Sequence, residues 1–172
     1  MFITIGEFGL RTIEATDLIW LRDLRNDKST WENLEHVLPL NMSIQKTWLD
    51  DLSNDKSREY YIFTNDKNED IGLVRVTSID YINKKACIGL DISIKYRGKK
   101  LSKIAYRLIF DYLFDYLNLN RLYLFVLSEN EVALNLYRKI GFIEEGRQRE
   151  AIIRKNRKID YIMLSILSHE YK

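Results

Sequence analysis

From Lys99 to Leu117 the apolar residues Leu101, Ile104, Ala105, Leu108, Ile109, Tyr112, Leu113, Tyr116 and Leu117 recur at three- and four-residue steps. That spacing predicts a helix with a wide buried face. RLYLFVL (121–127) follows it, a short continuous apolar run that reads as a buried strand. Ahead of it stands KKACIGLDISI (84–94), where Ile88, Leu90, Ile92 and Ile94 share one face of a strand and Cys87, Gly89, Asp91 and Ser93 share the other. A strand, a helix and a buried strand in that order usually make a parallel crossover, which predicts a sheet with at least one parallel pair.

The runs EYYIFTN (59–65) and IGLVRVTSI (71–79) surround a polar turn and lead into the 84–94 strand, which predicts an antiparallel meander. Residues 8–13 read as a first strand. Thr16 or Asp17 caps a helix carrying Leu18, Ile19, Leu21 and Leu24 and ending near Asp27. Ser43 with Gln45 opens a second helix, and the irregular stretch between them, holding Trp31, His36 and Pro39, is expected to form a pocket wall. In SENEVALNLYRKIGF (128–142), Ser128 or Asn130 caps a helix that Gly141 stops. Strands at 142–152 and 159–167 flank the polar turn from Arg154 to Lys158. The class is therefore α+β (mixed α/β), with a single mixed sheet.

With 172 residues, 46% of them apolar, the chain supports one well-buried core and reads as a single domain over 1–172. Its 27 basic and 25 acidic side chains leave a charge of +2, too balanced for bulk attraction to nucleic acid. The opening MFITIGEFGLRT has no long apolar run, which argues against a signal peptide or a membrane span and predicts a cytoplasmic protein. One cysteine, Cys87, and two distant histidines, His36 and His169, argue against a disulfide and against a metal site.

Local charge is less even. IKYRGKKLSK (94–103) places Arg97, Lys99, Lys100 and Lys103 around the start of the long helix, where the backbone dipole is already positive. An unbalanced cation there costs a few tenths to about 1 kcal/mol. A strand-to-helix turn presenting free N–H groups binds phosphate, and the lysines would then supplement it; alternatively they are simply solvated. The segment is neither a Walker loop nor G-x-G-x-x-G.

RGKKLS, the helix after it, and LYLFVLSENEVALNLYRKIGFIEEGRQRE (122–150), in this order and spacing, resemble the GNAT superfamily of acetyl-CoA-dependent N-acetyltransferases, particularly its RimJ/RimL and spermidine acetyltransferase branch. The likeness runs from about Phe8 to Tyr171 and includes LRND (24–27) and the closing pattern of Glu144, Glu145, Gly146, Asp160 and Met163. It implies a mostly antiparallel mixed sheet of about seven strands with about four helices, in which splayed strands form an acetyl-CoA cleft. It implies that Arg97, Gly98, Lys99, Lys100, Leu101 and Ser102, with Lys103 beside them, hold the coenzyme pyrophosphate. Lys100 stands where the family usually has glycine, and Ser102 where it has glycine or alanine. The strand through Leu90 and Ile92 would pair with the pantetheine arm, Asn130 would contact the coenzyme, and Tyr137 would protonate the departing thiolate. A phenol suits that task, because its ordinary pKa of about 10 keeps it protonated at neutral pH.

Where many relatives carry a glutamate base, this chain has Cys87; Asp91, on the same face, is the candidate in its place. Trp31, Glu32 and Glu35, with His36, offer an acidic and aromatic surface for a polycation. Arg22, Arg25 and the 147–158 cluster instead suit a nucleotide-sugar diphosphate or an acidic peptide, or form a charged hairpin in water. The implied activity is acetyl transfer from acetyl-CoA, as cosubstrate and without a metal, to a primary amine in a ternary complex. The acceptor is a polyamine, a protein N-terminal amine or an amino sugar. The rival reading is a degenerate GNAT module that binds coenzyme A or another phosphate ligand without turnover. No nucleic-acid or membrane partner is expected, and a homo-oligomer is left open.

Overall fold

The computed structural model describes residues 1–171 and consists of one eight-stranded sheet with five α-helices. In chain order these are β1 (Ile3–Ile5), β2 (Phe8–Thr12), α1 (Leu18–Asn26), α2 (Lys28–Trp31), α3 (Met42–Leu52), β3 (Glu59–Asn65), β4 (Asp70–Asp80), β5 (Lys85–Ile92), α4 (Leu101–Phe110), β6 (Arg121–Leu127), α5 (Glu131–Lys139), β7 (Ile143–Arg154) and β8 (Arg157–Leu167). The sheet order is β1-β2-β3-β4-β5-β6-β8-β7. Every pair is antiparallel except β5 with β6, the crossover the sequence predicts.

Two elements exceed the sequence expectation. β1 is three residues long and turns back onto β2 through Gly6 at φ +58°, too short to show an alternating pattern. α2 is a single turn inside the stretch expected to be irregular. Two helix starts also differ. The cap of α3 is Asn41, whose Oδ1 accepts from the Ile44 N–H at 2.9 Å, rather than Ser43. The long helix begins at Leu101, and Asp111–Tyr116 continues it in wider, π-type turns.

α4 packs on one face of the sheet, against β1, β2 and β5, and the main core lies between them, with Phe63, Ile71, Leu108, Ile109, Phe110 and Leu113 fully buried. α1 and α3 cover the opposite face: Trp48 meets Tyr60 edge-on at 5.0 Å, and Leu21, Trp48, Tyr60 and Leu73 line one hollow. The alternation read in β5 holds as far as Ile92, where the strand ends; Ile94, expected on the buried face, lies in a short 3₁₀ turn and is exposed. Ala86, Ile88 and Ile92 are buried in the α4 core, while Cys87, Gly89 and Asp91 lie on the other face beside Arg75 of β4. Among the described residues no helix is long and apolar enough to cross a membrane.

The 154–158 turn is centred on Lys155 and Asn156, both at positive φ, a twist that suits a two-residue hairpin. Behind this hairpin Arg121 of β6 grips Glu145 of β7 with both Nη atoms, and Ser165 bonds to each of them. The Arg121 hydrogen bonds draw the Glu145 carboxyl down from 4.5 to about 2. Its folded-state value is the lower one, so the stabilisation is complete above about pH 4.5 and is lost as the pH falls toward 2. We expect the thermal midpoint, followed by circular dichroism between pH 6 and pH 2.5, to fall less steeply across that window in Glu145→Gln than in the parent protein.

Candidate active site

β5 and β6 share a ladder only at Lys85↔Arg121, Ala86↔Leu122 and Cys87↔Tyr123. Beyond it β5 runs on to Ile92 and β6 to Leu127 without pairing, so the strands diverge around a wedge. An unpaired strand edge offers its backbone to any extended amide-bearing ligand.

At the mouth of the wedge lies the cationic turn. Gly98 has φ +76° and Lys100 φ +61°, so two left-handed residues frame Lys99 just before α4 begins. Lys100 thus occupies a left-handed cap, and not the helical backbone that the sequence suggests; a residue with Cβ costs roughly 1–2 kcal/mol there. The family's glycine suits this position because it lacks that cost. A groove of about 450 Å³ runs from this turn along β5. Gly98, Lys100, Leu101 and Ser102 line it at the helix end, Leu90 and Ile92 along the strand, and Arg97 and Asn130 at its sides.

Two of the expected cations point elsewhere. Lys99 Nζ sits 5.1 Å over the Tyr96 ring, with Lys95 Nζ also over that ring at 5.0 Å. Lys103 faces a separate hollow with Arg107. Arg97 is committed to protein groups: Nε donates to the Ile92 carbonyl (2.8 Å), Nη1 to Ser29 Oγ (2.6 Å) and Nη2 to Thr30 Oγ1 (2.8 Å). It ties the turn to α2. Asn130 caps α5 by accepting from the Ala133 N–H at 3.1 Å, and its amide donates to Asn33 at 2.9 Å.

The groove opens into a central cavity of about 300 Å³, and the two meet at Leu90, Asp91 and Tyr137. Burial pushes the Tyr137 hydroxyl up, opposed by the contact from Tyr106 and by the Arg75 charge. The two hydroxyls are 3.4 Å apart. Cys87 lines the same cavity, and burial likewise pushes its thiol up, which makes it a poor nucleophile. Asp91 is ion-paired with Arg75, Oδ2 to Nε at 3.1 Å.

Arg75 is the cavity residue that sequence reasoning missed. Its guanidinium lies across Gly89, where a Cβ would fall 2.7 Å from Nη2. The available signal was a lone arginine in an apolar strand run, set opposite a glycine in the next strand. Of the expected acceptor residues, Glu35 lines the cavity, while Trp31 and Glu32 do not. Glu32 lies 3.9 Å from Lys28 and 4.0 Å from Lys155 across the loop. The hairpin cations are largely paired: Arg147 with Asp160, Lys158 with Glu150, and Arg157 with Glu129. Arg154 donates to the Leu34 and Glu35 carbonyls and so holds the cavity wall. Among the described residues no three metal-ligating side chains come together.

The acetyltransferase (GNAT) domain model matches residues 7–143. Spermidine N(1)-acetyltransferase of Escherichia coli K12 is 32% identical over 162 residues, covering 94% of this chain and 87% of that protein. The crystal structure of spermidine N-acetyltransferase from Vibrio cholerae in complex with CoA and spermine superposes with a TM-score of 0.91 at 27% identity, over 96% of this chain and 98% of that one. A dodecameric structure of the Vibrio enzyme gives 0.85 at 27% identity, over 96% of each chain. With the family model spanning most of the sheet and the whole wedge, the chain belongs to the GNAT acetyltransferase family.

Proposed function

We propose that the protein transfers an acetyl group from acetyl-CoA to the primary amine of a small molecule. The observation that carries this reading is the junction at Leu90, Asp91 and Tyr137, where the groove that ends at the cationic turn meets the cavity lined by charged groups. Membership of the family and the likeness to acetyltransferases crystallised with CoA and spermine support catalysis, and nothing favours the non-catalytic module.

The groove fits coenzyme A on its own features. Left-handed residues at Gly98 and Lys100, on either side of Lys99, bend the backbone sharply just before the free N–H groups at the start of α4, a turn that suits a diphosphate. The unpaired β5 edge through Leu90 and Ile92 suits the amides of the pantetheine arm. Leu101, Ser102 and Asn130 complete the proposed contact set, and Lys100 supplies a cation. Arg97 serves by holding α2 against the turn, and Lys99 and Lys103 contribute only to the potential around it.

In the reaction the unprotonated amine attacks the thioester carbonyl. The carbon–sulfur bond breaks as the tetrahedral intermediate collapses, the Tyr137 hydroxyl gives its proton to the thiolate, and the proton shed by the attacking nitrogen passes through Asp91 to solvent, from which the phenol regains its own. A β5 backbone N–H serves the oxyanion. Asp91 is the carboxylate proposed to face the incoming amine, and its pairing with Arg75 fixes where that amine sits. The free thiol of Cys87 suits the reducing cytoplasm, which we propose as the compartment. Assembly into a homo-oligomer is proposed on the dodecameric relative. A polyamine acceptor is the reading carried over from the relatives.

Tyr137→Phe should lower kcat about a hundredfold, with little change in KM for acetyl-CoA, in a thiol-release assay. Because burial raises the Tyr137 hydroxyl, the parent enzyme's kcat should rise as the amine deprotonates and show no descending limb below about pH 10. Lys100→Gly should raise stability by about 0–1 kcal/mol, the relief of a left-handed Cβ less the entropy of a new glycine. The same change should weaken coenzyme A binding about fivefold at low salt, and less as salt is added. Calorimetry in two salt concentrations, beside a urea titration, measures both effects.

A further inference from the structure

Behind the central cavity lies a second hollow of about 310 Å³ between α1, α3 and the sheet, lined by the apolar Leu21, Leu40, Ile44, Trp48, Tyr60 and Leu73. The two hollows share Arg25, His36, Arg75 and Asp91. At this junction two guanidinium groups face one carboxylate. Arg75 takes Asp91 at 3.1 Å. Arg25 donates through Nη2 to the His36 carbonyl at 2.8 Å. Arg75 Nε is matched by its ion pair with Asp91, whereas Arg25 Nη1 is shut off from solvent without a hydrogen-bond partner among the described residues. Leaving a buried charged donor unmatched is costly, and a guanidinium is shaped to grip a carboxylate or phosphate. Glu35, the other carboxylate of the central cavity, is exposed at its rim beside Tyr161 and compensates neither arginine.

We propose that the acceptor is a primary amine that also bears an anionic group, a carboxylate or a phosphate, which Arg25 and Arg75 bind. This rests on the acetyltransferase reading above and narrows its substrate class away from a pure polycation. The amine lies toward Asp91 and Tyr137, the anionic group against Arg25 Nη1, and any apolar remainder in the Trp48–Tyr60 hollow. A polyamine offers nothing to the uncompensated guanidinium and is repelled by it.

Two matched pairs test this in the full-length protein: phenylalanine against phenylalaninamide, and 2-aminoethyl phosphate against ethanolamine, with spermidine alongside. Rates are compared per unprotonated amine. At least one anionic member should exceed its uncharged partner by tenfold or more in kcat/KM, and the responding pair tells carboxylate from phosphate. Arg25→Gln should abolish that ratio, Arg25→Lys should retain part of it, and both should still bind coenzyme A, which separates lost recognition from misfolding. Calorimetry of the same amines against the enzyme–coenzyme A complex gives a second readout independent of turnover. If no amine is acetylated, the catalytic reading fails, and the calorimetric preference still decides the anion site. Equal behaviour within both pairs by both methods, an unchanged ratio in Arg25→Gln, or spermidine surpassing both anionic amines would overturn the proposal.

Discussion

The wedge between β5 and β6 is the constraint on which the rest of the molecule hangs. A parallel pair held by three residue pairs is an unusual place to interrupt a sheet, because each strand then leaves backbone groups without partners. The opening persists because both strands are held on their outer sides, β5 by β4 from Gly72 to Thr77 and β6 by β8 along its whole length. The ladders can therefore diverge without either strand fraying. The divergence creates the groove and leaves along it a free β5 edge, which is the feature that suits the proposed amide-bearing ligand.

One wall of the cavity, the segment 28–36, contains no strand and no long helix. Residues 28–36 are fastened by side chains from four different places: Arg97 from the cationic turn, Arg154 from the β7–β8 hairpin, Arg25 from α1 and Asn130 from the cap of α5. Most of these bonds go to backbone carbonyls or hydroxyls and lie at or near the surface, so each contributes on the order of 1 kcal/mol. A wall held by several such bonds keeps its place and can still yield to an entering ligand. Arg97 stands at the centre of this arrangement, since it touches the turn, the end of β5 and α2 at once.

Periodicity made the frame of this protein legible. The three-four spacing gave α4 and α5, continuous or alternating apolar runs gave β3 to β6, and their order gave the parallel crossover. Features of one or two residues escaped. β1 and α2 are shorter than any period that could announce them. The left-handed Lys100 looked helical because lysine has no marked preference against a helix, and only its place in a glycine-bearing motif hinted otherwise. Arg97 was legible as a cation at the groove, but its hydrogen bonds to Ser29 and Thr30 span 68 and 67 residues of sequence, and no local pattern encodes them. Arg75 and Gly89 were visible separately and gained meaning only through their register across β4 and β5.

The spacing between the coenzyme turn and the proposed acid follows from one packed unit. Tyr106 lies six residues beyond Lys100, which at 1.5 Å per residue sets it about 9 Å along α4. It is buried, stands edge-on to Tyr137 at 5.8 Å, and shares Phe142 with it. These contacts fix the Tyr137 ring between α4 and α5, so the phenol cannot move without disturbing the helix whose start forms the turn. Tyr106 is itself raised well above the ordinary tyrosine range, first by burial and then by Tyr137. It therefore keeps its own proton and donates toward the Tyr137 oxygen, which leaves the Tyr137 hydroxyl its own donor. The contact is long, at 3.4 Å, so it positions the Tyr137 oxygen without tying up the hydroxyl's donor, as the proposed acid role requires.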